Sequence, residues 1–539
     1  MFVTPLALLA AMQGSDPLAV VVDDIRTDQD IQHYHVAVDI PDTGTGIRGA
    51  TSVRYVVKGG LGPLVLNFDA GFTVDSIVPR GGPMSRAQVH DAALRIDHWG
   101  NPGVTLEVTV FYHGSPQDGL FIQDNVHGDR TAFADNFPDR ARHWFPSEDH
   151  PSDKATVSYA LQVPAGWRAV ANGRLAGVDS LGSGRTVWHW RQDEAIPVYT
   201  MVMGAGRISV TPIGLESELP QSLWTFPEDS AYAVEAFRRA PDMVQVYTRT
   251  VGPYPYDKLA HVQSSTRFGG MENSSAIFYS ERAYASRRVG EGLIAHETAH
   301  QWFGDAVTEY DWHHAWLSEG FASYFGPMFF ELIGEDETFA SALTRLRESV
   351  FQSDVRDRPI IDTMVTDYMQ ILNANTYQKG ASVLHMLRRE VGDSTFFRGI
   401  REYYDTFRHS TALSSDLRNI MSRQANRSLT WFFEQWLTQP GYPQIAVQWQ
   451  RDRDREAVAI DLSQVQPQAW GTYRLTVDVE VRTGAQSTRA VVQFDGVGRS
   501  TSLVVPGVTD DVDEVVIDPD GKLLLLEVVR LDEASNQEF

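Results

Sequence analysis

The chain has 539 residues, 42% hydrophobic and 22% charged, which is ordinary for a soluble globular protein and too long for a single core. Its net charge of −24 argues against a general nucleic-acid binder and against docking on anionic lipid. It has no cysteine, which excludes a disulfide framework and any thiolate metal site.

Residues 2–12 form an apolar run too short to span a bilayer. The run resembles the apolar part of a secretory signal within a signal-like segment at 1–20, although a basic n-region and an A-x-A cleavage site are missing. Export to a periplasmic or extracellular location is therefore expected ahead of a cytoplasmic one. No other stretch is expected to cross a membrane.

Residues 21–207 read as a β domain. Tyr34, Val36, Val38 and Ile40 alternate with His35, Ala37 and Asp39, the mark of a half-buried strand, and Val53, Tyr55 and Val57 repeat it. Residues 133–146 hold too many charges and prolines for a core strand. They read as a surface loop, or as a loop that faces a site in the next domain.

From residue 208 helical periodicity takes over. A helix is expected over 230–250, broken or kinked near Pro241. Short strands are expected at 259–264 and 275–280, with Gly269-Gly270-Met271-Glu272-Asn273 between them. Further helices are expected over 327–333, 377–391 and 431–437. The run Gln439-Pro440-Gly441-Tyr442-Pro443 stops the last helix and marks a domain joint. Residues 441–539 return to strand alternation, most plainly in Tyr473, Leu475, Val477, Val479 and Val481, and read as a small β-sandwich.

The chemistry concentrates in residues 289–324. His296-Glu297-Thr298-Ala299-His300 puts two imidazoles four residues apart, hence on one helix face, with a glutamate beside the first. That spacing suits two nitrogen ligands for one Zn²⁺. A catalytic zinc usually takes three protein ligands and leaves one position for water. A metzincin would supply the third from a histidine at position 306, with glycine at 303; this chain has Phe303 and Ala306. Glu319, nineteen residues after His300, opens what reads as a second helix, and its carboxylate can reach the first. Glu297 can take a proton from a water at the metal and pass it to a leaving amine.

The motif H-E-x-x-H-x₁₈-E, with Gly270-Met271-Glu272-Asn273 upstream and Tyr377-x-Lys379-Gly380 downstream, resembles the M1 family of zinc aminopeptidases, which includes the leukotriene A4 hydrolase and aminopeptidase N branches. The similarity runs from the first β domain through residue 443. It implies a multidomain α+β fold: an N-terminal β-sheet domain (21–207), a thermolysin-like, mostly helical zinc domain (208–440) and a C-terminal β-sandwich (441–539). It implies that His296, His300 and Glu319 bind one zinc per chain and that Glu297 is the base. It further implies that Tyr377 donates to the oxyanion, and that Glu272 binds the substrate's free α-ammonium within the Gly269–Asn273 segment (Gly269, Gly270, Met271, Glu272, Asn273). The backbone around Gly269 and Gly270 would lie along the substrate like a strand.

Three positions depart from the family pattern: Gly270 where alanine is usual, Asp305 where asparagine is usual, and Gly326 where many members have glutamate. The family also takes a second amine-binding residue from the first domain. The matching loop here, residues 134–137, has no glutamate, and Asp135 is the candidate. The large helical domain that closes the cleft in longer members does not follow the β-sandwich here, so a cleft more open to longer peptides is expected. The expected function is zinc-dependent removal of N-terminal residues from peptides by a monomer, with no nucleic-acid partner and no integral membrane segment. The alternatives are a broader zinc hydrolase, endopeptidase or epoxide hydrolase, and an inactive member that binds peptides.

Overall fold

The computed structural model describes residues 16–528 apart from 60–61, 81–86, 91, 98–99, 215–218 and 485. The apolar run expected to act as a signal lies outside them. Three bodies follow in chain order, as the change of periodicity predicts.

The first is built on a seven-stranded sheet. Its strand order is Arg174–Ser180, Thr186–Pro197, Lys154–Val163, Gln29–Asp39, Ile47–Val57, Thr105–Gly114 and Thr73–Pro79. The pair Gln29–Asp39 with Lys154–Val163 is parallel and the other pairs are antiparallel. Tyr34, Val36 and Val38 face the core while their neighbours are half-exposed, which is the period-2 pattern of the sequence in place. A four-stranded sheet, Arg168–Ala171, Met203–Gly206, Arg130–Ala134 and Leu120–Asp124, leads into the loop at 135–146. That loop is not a surface feature. Asn136, Phe137, Trp144 and Phe145 are buried, and the Asn136 carboxamide holds the Met201 carbonyl and the Trp144 indole.

The second body opens with a five-stranded sheet ordered Ser209–Ile213, Gln221–Thr225, Leu259–Ser264, Ala276–Ser280 and Gly270–Met271. The last of these is a two-residue edge strand, antiparallel to Ala276–Ser280. Helices follow. The expected 230–250 helix is two, Ser230–Ala236 and Ala240–Thr250, and the break falls one turn before Pro241. The helix expected over 327–333 is instead the second half of a longer one, Trp316–Leu332, with Pro327 inside it. Nearly every residue from Trp316 to Phe330 is buried, and packing on all sides offsets the lost hydrogen bond at proline. The expected 377–391 helix begins as a π-helical turn, Asn375–Lys379, and continues as Gly380–Val391.

The third body has a four-stranded and a three-stranded sheet, as the sandwich reading required. It shares one continuous core with the helices: Trp436, Leu437, Trp470 and Tyr473 belong to the same apolar cluster.

Two devices dock the first domain onto the second. Lys154, at the start of its strand, donates from Nζ to the Asp305 and Ala306 carbonyls and to Thr308 Oγ1 at 2.8, 2.9 and 3.0 Å. The segment 16–23 crosses back over the helical domain. Leu18 is buried in its core, Arg418 pairs with Asp16, and His314 Nε2 donates to the Val20 carbonyl at 2.8 Å. Residues 16–20, placed in the signal-like segment from sequence, thus belong to the folded body. Among the described residues, no helix is long and apolar enough to cross a membrane.

Candidate active site

The first helix of the site is Glu291–His300. Its two imidazoles meet across one turn, with Nε2 atoms 3.1 Å apart. Helix Trp316–Leu332 crosses close behind. A Cβ at Gly326 would stand 3.2 Å from the His296 backbone, so glycine there is what lets the helices approach. Glu319, in the first turn of the second helix, brings Oε2 to 3.5 Å from His296 Nε2 and 3.2 Å from His300 Nε2. His300 Nδ1 donates to the Phe303 carbonyl at 3.1 Å, with Ser318 Oγ at the same distance, so its Nε2 lone pair is turned toward Glu319.

This donor set fits a zinc ion. Two imidazole nitrogens can stand 3.1 Å apart only with a proton or a cation to hold them. The Glu319 Oε2 atom between them is buried and accepts no hydrogen bond. Burial would lift the Glu319 carboxyl, but charge on His300 and contacts from both rings hold it well below the usual carboxylate range. His300 is raised in return: burial opposes its charge, and Glu272 and Glu319 more than offset that. Three converging lone pairs, two nitrogen and one oxygen, make the usual zinc set with room left for water.

A second group, Asp23, Asp311 and His313, also brings three possible ligands together. Its atoms are already used. Asp311 accepts from the Val22, Asp23 and His313 backbone, Asp23 accepts from Tyr368 and Trp312, and His313 donates to Asp311 and to the Val365 carbonyl. It is a clasp for segment 16–23.

Around the donor set lies a cleft of ≈ 420 Å³ lined by Phe137, Phe268, Gly269 to Glu272, Gly292, Leu293, His296, Glu297, His300, Glu319, Ser323, Leu372, Tyr377 and Gln378. Glu297 is buried, and that burial pushes its carboxyl well up, against the pull of His300. Gly270 lies against it so closely that a Cβ would overlap the Glu297 carboxylate. Burial lifts the Glu272 carboxyl to about 7. The Tyr377 hydroxyl donates to Glu319 Oε1 at 2.6 Å, so in the free protein it rests on the ligand carboxylate at the edge of the cleft.

Two candidates do not line the cleft. Asn273 is buried beneath the segment, where its carbonyl accepts from Ala276 N and closes the turn into the next strand. Asp135 does not fit the second amine-binding role. Its Oδ1 pairs with Arg140 at 2.6 Å and its Oδ2 accepts from Thr266 Oγ1 and Arg267 N, so both carboxylate oxygens are already engaged. Its neighbour Phe137 faces the cleft instead.

Sequence reading missed Gln301. Its Nε2 donates to the Glu272 carbonyl and to Asp305 Oδ2, both at 2.7 Å, and its Oε1 accepts from Ser275 N at 2.8 Å. It bolts the zinc helix to the segment that bears Glu272. Its position directly after His300 was the available signal.

Two helices presenting a His₂Glu set, a glutamate beside it and a free strand edge define a metal-dependent hydrolase centre. Residues 91–200 match the Peptidase M1 N-terminal domain and residues 232–436 match the Peptidase family M1 domain. The chain belongs to peptidase family M1. It is 32% identical to the Probable aminopeptidase 1 of Sulfurisphaera tokodaii over 58% of this chain and 42% of that one. It is 28% identical to the Leucyl aminopeptidase of Saccharolobus solfataricus over 57% and 41%. The chain thus spans about two fifths of the length of these curated relatives. An M1 zinc metallopeptidase from Deinococcus radiodurans shares the fold, with TM-score 0.68 and 24% identity over 77% of this chain and 96% of that one.

Proposed function

We propose that the protein is a zinc aminopeptidase that hydrolyses the first peptide bond of substrates with a free N-terminus. The observation that carries this reading is Glu272: a buried carboxylate beside the donor set, directly after the edge strand where an extended peptide would pair. Family relatives named as aminopeptidases support it.

Zinc held by His296, His300 and Glu319 would acidify a water and polarise the scissile carbonyl. The chain does the rest. Gly270–Met271 presents its free edge to the substrate backbone in the manner of strand addition. Glu272 pairs with the α-ammonium, and in a closed site that charge-assisted contact is strong. Burial raises the Glu272 carboxyl, and an ammonium beside it would favour the charged form. Glu297 takes the proton from the attacking water and returns it to the leaving amine. The Tyr377 hydroxyl leaves Glu319 to donate to the developing oxyanion.

The test is hydrolysis of a peptide and its N-acetylated twin by the zinc-loaded protein. Cleavage restricted to the unblocked peptide supports the assignment. Equal cleavage of both points to an endopeptidase, and bound zinc with no turnover points to a peptide-binding member. We also propose a monomer and export, the latter on the apolar run at residues 2–12. Sedimentation and the N-terminal sequence of protein recovered from the periplasm or medium test these.

A further inference from the structure

We propose that the wall formed by Phe137, Phe268, Met271 and Leu372 selects peptides whose N-terminal side chain is large and apolar, and that Phe137 sets this preference. The inference rests on the aminopeptidase reading and extends it to a substrate class.

The cleft has two ends. Gly269 and Leu293 mark one: Leu293 Cδ1 lies 3.9 Å from where a Gly269 Cβ would stand. Glu272, directly after the edge strand Gly270–Met271, marks the other. The 135–137 loop belongs to the Glu272 end. Tyr199, which meets the Phe137 ring, is followed by Thr200, whose Oγ1 lies 2.9 Å from Ser274 Oγ, two residues past Glu272. A substrate anchored by its ammonium on Glu272 therefore places its first side chain against Phe137, and later residues leave past Leu293.

That end is apolar and rigid. The Phe137 ring meets Trp312 edge-on at 5.2 Å, Tyr199 at 5.7 Å and Phe268 at 6.1 Å. Its carbonyl accepts from Arg140 Nε at 2.6 Å, which fixes the backbone beneath it. Aromatic rings held in this way offer edge and face contacts to an incoming apolar group.

Charge points the same way. Among the described residues, no lysine or arginine lines the cleft. Arg140 and Arg267, which flank the loop, are both paired, with Asp118 and Asp135. An acidic side chain would lose its hydration beside carboxylates and gain no cation. A basic side chain would find the carboxylates already engaged: Glu319 with the donor set, Glu297 with the water, Glu272 with the α-ammonium.

The experiment measures kcat/KM of the zinc-loaded enzyme on aminoacyl anilides of Phe, Leu, Ala, Glu and Lys. Phe or Leu should exceed Ala by roughly 10- to 200-fold, the range for apolar side-chain discrimination, and Glu by at least as much. Phe137→Ala should cut the Phe and Leu values tenfold or more while moving the Ala value less than about threefold, since only large side chains reach the ring. Phe137 is buried, so Phe268→Ala, at a less buried ring, provides a second variant expected to shift the ratios in the same direction. Phe137→Arg should raise the Glu value relative to Leu. A wild type that prefers Glu or Lys, or variants that lower all five substrates equally, overturns the inference. Absence of hydrolysis on all five with zinc bound overturns the aminopeptidase reading itself, and the inference with it.

Discussion

Gly320→Ala tests the geometry on which the metal site depends. Gly320 follows Glu319 on the second helix, where that helix touches the turn leading into Gly380–Val391. A Cβ on residue 320 would stand 3.1 Å from both Cα and C of Gly380 and 3.2 Å from the Thr376 carbonyl oxygen. All three are backbone atoms, so no side chain can swing aside. Comfortable carbon–carbon contact begins at about 3.5 Å, so the helices must part by roughly 0.4 Å or more. Overpacking of this kind costs about 1–3 kcal/mol, and alanine's better helix propensity returns at most about 1 kcal/mol. The propensity gain does not restore position. Glu319 moves with its neighbour, and ligand distances in metal sites tolerate only about ±0.2 Å. Zinc affinity should therefore fall by about 5- to 150-fold, the equivalent of 1–3 kcal/mol. Competition with a chromogenic chelator reads the affinity directly, and a thermal scan of the metal-free protein reads the packing cost. Gly177→Ala, where a Cβ meets nothing within 4 Å, is the control and should change neither. Wild-type zinc affinity in Gly320→Ala would refute the claim that this contact sets the third ligand.

Glu297→Gln should abolish turnover while zinc stays bound by metal analysis; normal activity would remove Glu297 from the mechanism. Tyr377→Phe should lower kcat by about 10²–10³ with little change in KM, the scale for losing one oxyanion donor, and a wild-type kcat refutes the role. Glu272→Ala should narrow the gap between free and N-acetylated peptides, and an unchanged gap means another group holds the ammonium. His313 gives a pH test. Burial disfavours its charge, but hydrogen bonds to Asp311 and to the Val365 carbonyl outweigh that and raise it above the ordinary histidine value. A raised folded value means the contribution is full below about pH 6.5 and is lost as pH rises through the higher value. The melting-temperature gap between wild type and His313→Gln should be widest near pH 6 and shrink toward pH 9. A gap independent of pH would show that the ring is not charged.

The zinc helix and its partner were legible because their signal is local. Two histidines four apart share a face whatever surrounds them, and Glu319 stands in a run that reads as the start of a helix. The strands at 34–40 and 473–481 were legible for the same reason, through alternation. The continuation of that partner helix to Leu332 was not, because Pro327 reads as a start and only tertiary burial on every side overrides it. Asp135 failed for a related reason. A carboxylate in the right loop says nothing about which way it points, and Arg140, five residues on, claims it. Phe137 and Gln301 matter through contacts far away in sequence, with Trp312 and with the Glu272 carbonyl, which no local pattern encodes.

The clasp formed by residues 16–23 bears on how the chain assembles during synthesis. Val20 must wait for His314, 294 positions later, to leave the ribosome. At about 5–20 residues per second that delay is roughly 15–60 s, long enough for the first β domain to form alone. Throughout that interval Leu18 has no pocket to enter, so the nascent front end stays open to any chaperone or translocation factor that reads apolar segments. Docking of the two lobes is then a late event, and lesions such as Asp23→Ala should show first as slow maturation of newly made enzyme.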